Sequence, residues 1–169
     1  MNKEIATEYK IRKFENQDSV FIIDIFNYYI QNSFAAYSEI PIGYEAINYF
    51  KEMTKGYPFY VIETNFRKLA GFSFLRPYHR IEAFKRVAEI TYFILPEYTR
   101  KGLGEKLLKL VIDDARKMGI DTLLASISSL NEASIKFHEK NNFCQCGYFK
   151  SIGKKFNVDF SMIWMQKFI

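Results

Sequence analysis

Hydrophobic and polar positions follow two different periods along this chain. Seven segments alternate at every second residue or form short apolar runs, which is typical of β-strands: residues 9–14, 59–64, 70–75, 87–95, 122–128, 144–151 and 160–166. Four segments repeat at about 3.6 residues, which is typical of helices: one from Asn16 or Asp18 to about residue 32, then 45–55, 103–118 and 132–140. The order β-α-α-β-β-β-α-β-α-β-β predicts an α+β fold with a mixed central sheet of about seven strands flanked by helices.

Length and composition predict one domain over residues 1–169. The chain is 49% hydrophobic and 18% aromatic, which is enough to bury one sizeable core. No apolar run approaches the roughly 20 residues that span a bilayer, and the first ten residues, MNKEIATEYK, are unlike a secretory signal. We therefore expect a cytoplasmic protein without a membrane partner.

Cysteine usage and charge exclude other classes of site. Cys144 and Cys146 form a C-x-C pair without a second cluster of ligands, so we expect reduced thiols and no metal. The net charge of +5 favours anionic ligands. Because the basic residues are dispersed along the chain, we expect no nucleic-acid partner.

The stretch from Val87 to Gly104 carries the strongest functional signal. An apolar strand, predicted to be buried on both faces, ends at Pro96, and the basic glycine loop TRKGLG leads into a helix. A helix that begins in a glycine turn presents unpaired N–H groups and the positive end of its dipole. Arg100 and Lys101 add positive charge, so the loop fits a phosphate group and in particular a pyrophosphate.

Taken alone, this loop has a second interpretation. A tight strand–helix turn with a solvated basic pair would show the same residues. Two better-known phosphate motifs are excluded, since the P-loop pattern is absent and Leu107 stands where the dinucleotide fingerprint has its third glycine.

The chain as a whole resembles the Gcn5-related N-acetyltransferases (GNAT), and within them the phosphinothricin and methionine sulfoximine acetyltransferase group. Four stretches carry the resemblance: IFNYYIQNSFAAYSEIP, VAEITYFILPEYTRKGLGEKLLKLVI, NEASIKFHEKNNF and GYFKSIGKKFNVDFSMIWMQKF. The second and third match the superfamily's acetyl-CoA motifs. The resemblance implies the GNAT fold, acetyl-CoA as co-substrate and direct transfer of acetyl to the primary amine of a small amino-acid-like acceptor.

The resemblance also implies which residues bind acetyl-CoA. The pantetheine arm would pair with the backbone of the central strand, the loop N–H groups would hold the pyrophosphate, and an asparagine would open the fourth helix beside the cofactor. The residues concerned are Phe93, Ile94, Leu95, Thr99, Arg100, Lys101, Gly102, Leu103, Gly104 and Asn131. Thr99 departs from the glutamine or arginine of the family pattern. Asn131 is equally well placed as an ordinary helix N-cap.

Two residues match the catalytic positions of the group. Glu89 would take a proton from the acceptor ammonium, and a glutamate in an apolar strand is costly unless its side chain reaches a polar cleft. His138 would protonate the departing thiolate. The alternatives are a glutamate at a strand end facing solvent and a histidine that is packed or on the surface.

Acceptor residues are implied by the segment after the first helix. Phe34 and Tyr37 would line the acceptor site, although aromatic residues of this kind also serve as core. Ser38 replaces an arginine that the group often carries, which bears on phosphinothricin as the acceptor but not on the reaction class.

Three other interpretations remain open from sequence. A protein or peptide N-terminal acetyltransferase of the same fold would need an open acceptor groove, whereas SFAAYSEIP and a long final hairpin predict a closed pocket. A non-catalytic acyl-CoA-binding module is disfavoured by the presence of both Glu89 and His138, and a nucleic-acid-binding module by the dispersed charge. The aromatic content also leads us to expect a homodimer.

Overall fold

The computed structural model describes residues 8–169, which form a seven-stranded sheet with helices on both faces. The strands are β1 (Tyr9–Lys13), β2 (Phe59–Thr64), β3 (Leu69–Pro77), β4 (Val87–Ile94), β5 (Thr122–Ser128), β6 (Cys144–Lys155) and β7 (Val158–Phe168). The helices are α1 (Ser19–Asn32), α2 (Ile47–Met53), α3 (Leu103–Lys117) and α4 (Glu132–Lys140). The predicted α+β fold class and the predicted order of elements are confirmed.

The strand order is β1-β2-β3-β4-β5-β7-β6. All neighbours pair antiparallel except β4 and β5, which are parallel because α3 crosses over between them. The crossover therefore brings the central strand and the helix after the glycine loop to the middle of the sheet.

Each face of the sheet has its own apolar core. On one face α1 and α2 pack against aromatic residues of the central strands, among them Phe72, Phe74 and Phe93. On the other face α3 covers Ala88 and Ile90 with a stripe of leucine, valine and alanine. Because successive strand residues point to opposite faces, β4 contributes side chains to both cores, which confirms that it is buried on both faces.

Three strands are longer than the sequence predicts. β3 continues through Arg76 and Pro77, beyond the predicted strand end at residue 75, because both residues still pair with β4. The last hairpin is longer than predicted on both strands. Its two-residue turn is Phe156-Asn157, with φ of +49° and +61°, which is the geometry of a tight hairpin turn. The hydrophobic pattern ended early because β6 is largely exposed.

Candidate functional site

A wedge-shaped gap opens in the middle of the sheet between β4 and β5. The two strands pair only from Val87–Thr122 to Glu89–Leu124. Beyond these residues β4 continues to pair with β3, and β5 with β7, but the described chain shows no pairing of one with the other. Buried backbone N–H and C=O groups need partners, so the gap is a place where a ligand can add to the sheet.

The direction of the backbone shows which β4 residues face this gap. Along a strand, successive residues point their N–H and C=O groups to opposite sides. Leu95 donates its N–H to the Ala70 carbonyl of the β3 side at 2.9 Å, so Phe93 and Leu95 face β3, while Tyr92 and Ile94 face the gap. The backbone groups of Phe93 and Leu95 thus face β3, and of the three predicted residues only Ile94 turns its backbone groups to the gap. Binding of the cofactor by Phe93, Ile94 and Leu95 stays a prediction. The Ile94 carbonyl also accepts a hydrogen bond from the Tyr29 hydroxyl.

The glycine loop prepares the N-terminus of α3 for an anion. The backbone is left-handed at Arg100 (φ +57°) and at Gly102 (φ +72°), which directly precedes α3. The first helical hydrogen bond runs from the Lys106 N–H to the Gly102 carbonyl at 3.1 Å. The N–H groups of the first turn are therefore not used within the helix and can bind a ligand.

The two glycines of the loop serve different purposes. Apart from Gly102 itself and its two chain neighbours, the described residues place no atom within 4 Å of the position that a Cβ would take there. A glycine is therefore needed at this position for the left-handed backbone and not for space within the protein. A Cβ at Gly104 would lie 3.0 Å from the Phe137 ring. Gly104 thus allows α3 to pack closely against α4.

A cavity of about 690 Å³ extends from the glycine loop along the gap, and we call it the cofactor cavity. Eight of the ten predicted cofactor residues line it: Phe93, Ile94, Thr99, Arg100, Gly102, Leu103, Gly104 and Asn131. Leu95 and Lys101 do not. The Lys101 ammonium instead donates to the Tyr9 hydroxyl at 3.0 Å and lies over the rings of Tyr9 and Tyr98.

A second cavity, of about 400 Å³, lies at the same gap and holds Glu89 in its wall; we call it the acceptor cavity. Glu89 is buried. Its Oε2 lies 2.6 Å from Nη2 of Arg76, the residue opposite it on β3, and its Oε1 accepts a hydrogen bond from Ser126 Oγ at 2.9 Å. A carboxylate is tolerated inside the sheet because these two donors compensate its lost hydration.

Arg76 is a candidate residue that the sequence analysis missed. Its side chain is 36% exposed and lines the acceptor cavity beside Glu89. The missed signal is the strand boundary: had β3 been extended past Leu75, an arginine would have stood directly opposite Glu89 in the register.

Of the two predicted acceptor residues, Tyr37 lines the acceptor cavity and Phe34 does not. The Tyr37 hydroxyl donates to the Ser126 carbonyl at 3.2 Å. Loss of hydration raises the Tyr37 pKa to about 12, with a smaller contribution from the Glu89 charge. Phe34 packs against Phe156 and Phe160 of the final hairpin, so its ring is part of the apolar packing behind the segment.

The segment that carries Tyr37 is held by a buried lysine of the final hairpin. Lys155 is 0% exposed, and its ammonium donates to the carbonyls of Ile30, Ser33 and Ala36 at 2.6, 2.6 and 2.7 Å. Burial lowers the pKa of Lys155. These three bonds satisfy carbonyls at and after the end of α1 and fix the wall of the acceptor cavity.

His138 is buried on α4 and points to the same gap from the other face. Its Nδ1 lies 2.7 Å from the Ser134 carbonyl. Because a carbonyl can only accept, Nδ1 carries the proton, and Nε2 accepts from the Tyr92 hydroxyl at 2.5 Å. Loss of hydration lowers the His138 pKa to about 4, partly opposed by the Ser134 carbonyl. The imidazole is therefore neutral at pH 7 and has no proton on Nε2.

The two cavities share five residues, which mark where their contents would meet: Ala35, Tyr92, Phe93, Asn131 and Ser134. Asn131 is the N-cap of α4, and its Oδ1 accepts from the Ser134 N–H at 3.2 Å. Its capping role is thus confirmed, and its side chain also lies beside the cofactor cavity. Burial raises the Tyr92 pKa well above its ordinary value.

Membrane-spanning helices, metal ligands and thiols are the remaining features that residues 8–169 describe. No helix in this range has both the length and the apolar character to cross a bilayer. No group of three His, Cys, Asp or Glu side chains in the same range could hold a metal ion. Cys144 and Cys146 are free and exposed.

Comparison with known proteins agrees with this geometry. The L-methionine sulfoximine/L-methionine sulfone acetyltransferase of Salmonella typhimurium is 28% identical over 163 residues, which cover 92% of each chain. Two solved structures are each 27% identical over 95% of this chain. One is a Salmonella typhimurium protein classed as an acetyltransferase and solved with its cofactor acetyl-CoA (TM-score 0.86, 93% of that chain). The other is a ribosomal-protein-alanine N-acetyltransferase of Brucella melitensis (TM-score 0.87, 99% of that chain).

A family model for the acetyltransferase (GNAT) family matches residues 22–143. This range contains the gap between β4 and β5, the glycine loop and α4, which are the elements that build both cavities. Together with the methionine sulfoximine relative, the match confirms the resemblance seen in the sequence. The chain belongs to the acetyltransferase (GNAT) family.

Proposed function

We propose that this protein transfers the acetyl group of acetyl-CoA to the primary amine of a small amino-acid-like acceptor by direct attack. The observation that carries the proposal is an acceptor cavity with a buried carboxylate, Glu89, and its guanidinium partner, Arg76, which opens onto the cofactor cavity. The methionine sulfoximine acetyltransferase to which the chain is similar supports the same acceptor class.

The residues of the cofactor cavity fit acetyl-CoA. The free N–H groups at the start of α3 and the left-handed loop suit a pyrophosphate, and the space beside Gly102 lets it approach the backbone. The open edge at Tyr92 and Ile94 suits the amide groups of the pantetheine arm, which would add to β4 as a further strand. Acetyl-CoA supplies the thioester carbon that the amine attacks.

Glu89 is proposed as the base for the acceptor. An amino group is mostly ammonium at neutral pH and must lose a proton before it attacks. The Glu89 carboxylate would take this proton directly or through a water molecule, while Arg76 and Ser126 hold the carboxylate in place. The partly exposed Arg76 guanidinium would at the same time pair with the carboxylate of an amino acid.

A panel of amines tests the proposal by the rate of thiol release from acetyl-CoA. Free amino acids, including methionine sulfoximine and methionine sulfone, are compared with the amides of the same amino acids, which lack the carboxylate. We expect the amides to have at least about tenfold lower kcat/KM, and Arg76→Met to remove most of that difference. Equal rates for acids and amides, with Arg76→Met without effect, would contradict the acceptor class.

Peptide N-termini are the second candidate acceptors, favoured by the structural similarity to the ribosomal-protein-alanine acetyltransferase. Tyr37 argues against them, because its hydroxyl reaches the Ser126 carbonyl and Met162 across the cavity and narrows the path for a longer chain. A short peptide with a free N-terminus belongs in the same panel. If the peptide has a higher kcat/KM than every amino acid, the proposed acceptor class is wrong and peptide N-termini are the acceptors.

We also propose a cytoplasmic homodimer. The final hairpin exposes several large apolar side chains, namely Tyr148, Phe149, Ile152 and Phe156, each between 45% and 60% exposed. Contact with a second copy would cover part of this surface. Sedimentation at micromolar concentration tests the dimer, and a mass near 20 kDa would contradict it.

A further inference from the structure

Tyr92 occupies the point where the two cavities meet. Of the five residues that line both, Tyr92 and Ser134 carry a hydroxyl group. The Ser134 hydroxyl lies beside Nδ1 of His138, and only the Tyr92 hydroxyl contacts Nε2. Its side chain belongs to the face of β4 that packs against α3 and α4, opposite to that of Glu89, because the two are three residues apart on one strand. The gap between β4 and β5 brings both groups to one cavity.

The Tyr92 hydroxyl also separates His138 from the meeting point. His138 lines the acceptor cavity but not the cofactor cavity. Its Nδ1 proton is held by the Ser134 carbonyl, and its Nε2 is covered by the Tyr92 hydroxyl at 2.5 Å. A proton that moves between this imidazole and a group in the cofactor cavity therefore passes through the Tyr92 oxygen.

We propose that Tyr92 is a catalytic residue whose hydroxyl carries a proton from the acceptor nitrogen to the departing sulfur, and that His138 is the positioning residue that acts through it. This inference rests on the proposed acetyl transfer. It gives His138 a different role from direct protonation of the thiolate, because Nε2 carries no proton before the reaction and is covered by the Tyr92 hydroxyl.

The protons balance over the reaction. Glu89 removes one proton from the ammonium, and the free amine then forms the C–N bond and becomes positively charged. The Tyr92 oxygen accepts a second proton from this nitrogen while its own passes to Nε2 of His138. When the C–S bond breaks, its electron pair stays on sulfur, Nε2 returns its proton to Tyr92, and Tyr92 protonates the sulfur. Tyr92 and His138 end as they began, and Glu89 releases its proton to solvent.

Deletion of one hydroxyl tests the proposal. We expect Tyr92→Phe to lower kcat by about 10²–10⁴-fold, the range of general acid–base contributions, while the acetyl-CoA Kd from calorimetry stays within about twofold. The matched control is Tyr60→Phe, because the buried Tyr60 donates to Asp114 at 2.5 Å and lines neither cavity. Its kcat should stay within about twofold of wild type. A Tyr92→Phe enzyme with wild-type kcat would overturn the proposal.

A double-mutant cycle tests whether His138 acts through Tyr92. If it does, adding His138→Ala to Tyr92→Phe lowers kcat by no more than about twofold, within the error of additivity. A further loss equal to that of His138→Ala alone would show that His138 acts independently and would overturn the positioning role. Thermal unfolding of each variant identifies those that fail to fold.

An NMR measurement tests whether Tyr92 contacts the sulfur of CoA, and it does not require the reaction to take place. The chain has only two histidines, so ¹⁵N spectra of the ring nitrogens report His138 directly, with the exposed His79 as internal reference. We expect CoA to shift the His138 Nε2 signal more than desulfo-CoA does, and Tyr92→Phe to abolish that difference. Equal shifts from the two ligands in the wild type would overturn the proposal. If no amine is acetylated, the proposed function fails, but this comparison still shows whether Tyr92 reaches the sulfur.

Discussion

The two halves of the candidate site are built from different parts of the polypeptide. The cofactor cavity depends on backbone geometry: the N–H groups of α3, the left-handed residues Arg100 and Gly102, and the open edge of β4. The acceptor cavity depends on side chains that come from six elements (α1, α2, β3, β4, β5 and α4) and from the segment after α1. A site made of backbone groups tolerates many side-chain substitutions, whereas a site made of side chains can lose its function through a single substitution.

The largest effect is expected in the acceptor half. Glu89→Gln keeps the shape and the hydrogen bonds of the side chain but cannot take a proton. We expect kcat/KM to fall by about 10²–10⁴-fold, while calorimetry gives an unchanged acetyl-CoA Kd because the cofactor half is intact. Wild-type kcat/KM in this variant would make Glu89 a structural residue and would leave the acceptor half without its base.

The buried His138, which lies near the boundary between the two cavities, should make the protein less stable in acid. His138 has a pKa of about 4 when folded and an ordinary value of 6.5 when unfolded. The unfolded chain therefore binds more protons between these values, and the free energy of unfolding falls as the pH drops from 7 to 4. The loss from this one group is about 3 kcal/mol.

Urea unfolding at several pH values checks this expectation. Other groups titrate in the same range, so the comparison is with His138→Gln, which cannot be protonated there. The wild type should lose about 3 kcal/mol more than the variant between pH 7 and pH 4. Parallel curves for the two proteins would mean that the buried imidazole is not neutral in the folded state.

A smaller effect is expected from the backbone of the cofactor half. Gly102→Val places a β-branched residue at φ +72°, which costs about 1–3 kcal/mol or forces the loop to change. We expect the acetyl-CoA Kd to rise by about tenfold to a hundredfold. Gly119→Val is the matched control, because Gly119 has φ +77° at the other end of α3. It should lose stability but keep its affinity, and equal losses of affinity would show that strain alone, not the anion site, is responsible.

The smallest effect is expected from a side chain of the same loop. Arg100→Ala removes an exposed charge but leaves the N–H groups and the helix dipole in place, so affinity should fall by only about twofold to fivefold, and less at high salt. Lys101→Ala should change it less still, because the Lys101 ammonium is turned toward Tyr9. A loss with Arg100→Ala as large as that of Gly102→Val would mean that side chains, not the backbone, hold the anion.

The difference between the halves also explains what the sequence could predict. The backbone groups of the cofactor half lie within one continuous stretch, from β4 to the first turn of α3, and its glycines and apolar periods are visible as a local pattern. The acceptor half depends on pairings such as Arg76 with Glu89 and Tyr37 with Ser126, which follow from sheet register and loop path. No local period encodes these pairings, and an error of two residues in a strand end was enough to hide Arg76.

Tyr92 and Phe34 are two further residues whose side-chain contacts could not be predicted from the sequence. The hydrophobic pattern predicts a strand at Tyr92, but it cannot show that the Tyr92 hydroxyl contacts His138. Phe34 was assigned to the acceptor site by its segment, although its ring turns to the final hairpin. The sequence predicts the element or segment of each residue correctly, but it does not predict the direction of the side chain or its partner.

The three bonds of Lys155 also bear on the order in which the molecule forms. They join residues that are 119 to 125 positions apart, whereas the glycine loop and α4 come from neighbouring parts of the chain. Contacts of long sequence separation form late, because a large loop must close first. During synthesis the N-terminal part of the chain emerges first. The cofactor half can therefore assemble before the last hairpin brings Lys155 to the segment that carries Tyr37. The ability to select an acceptor would be the last property that the folding protein acquires.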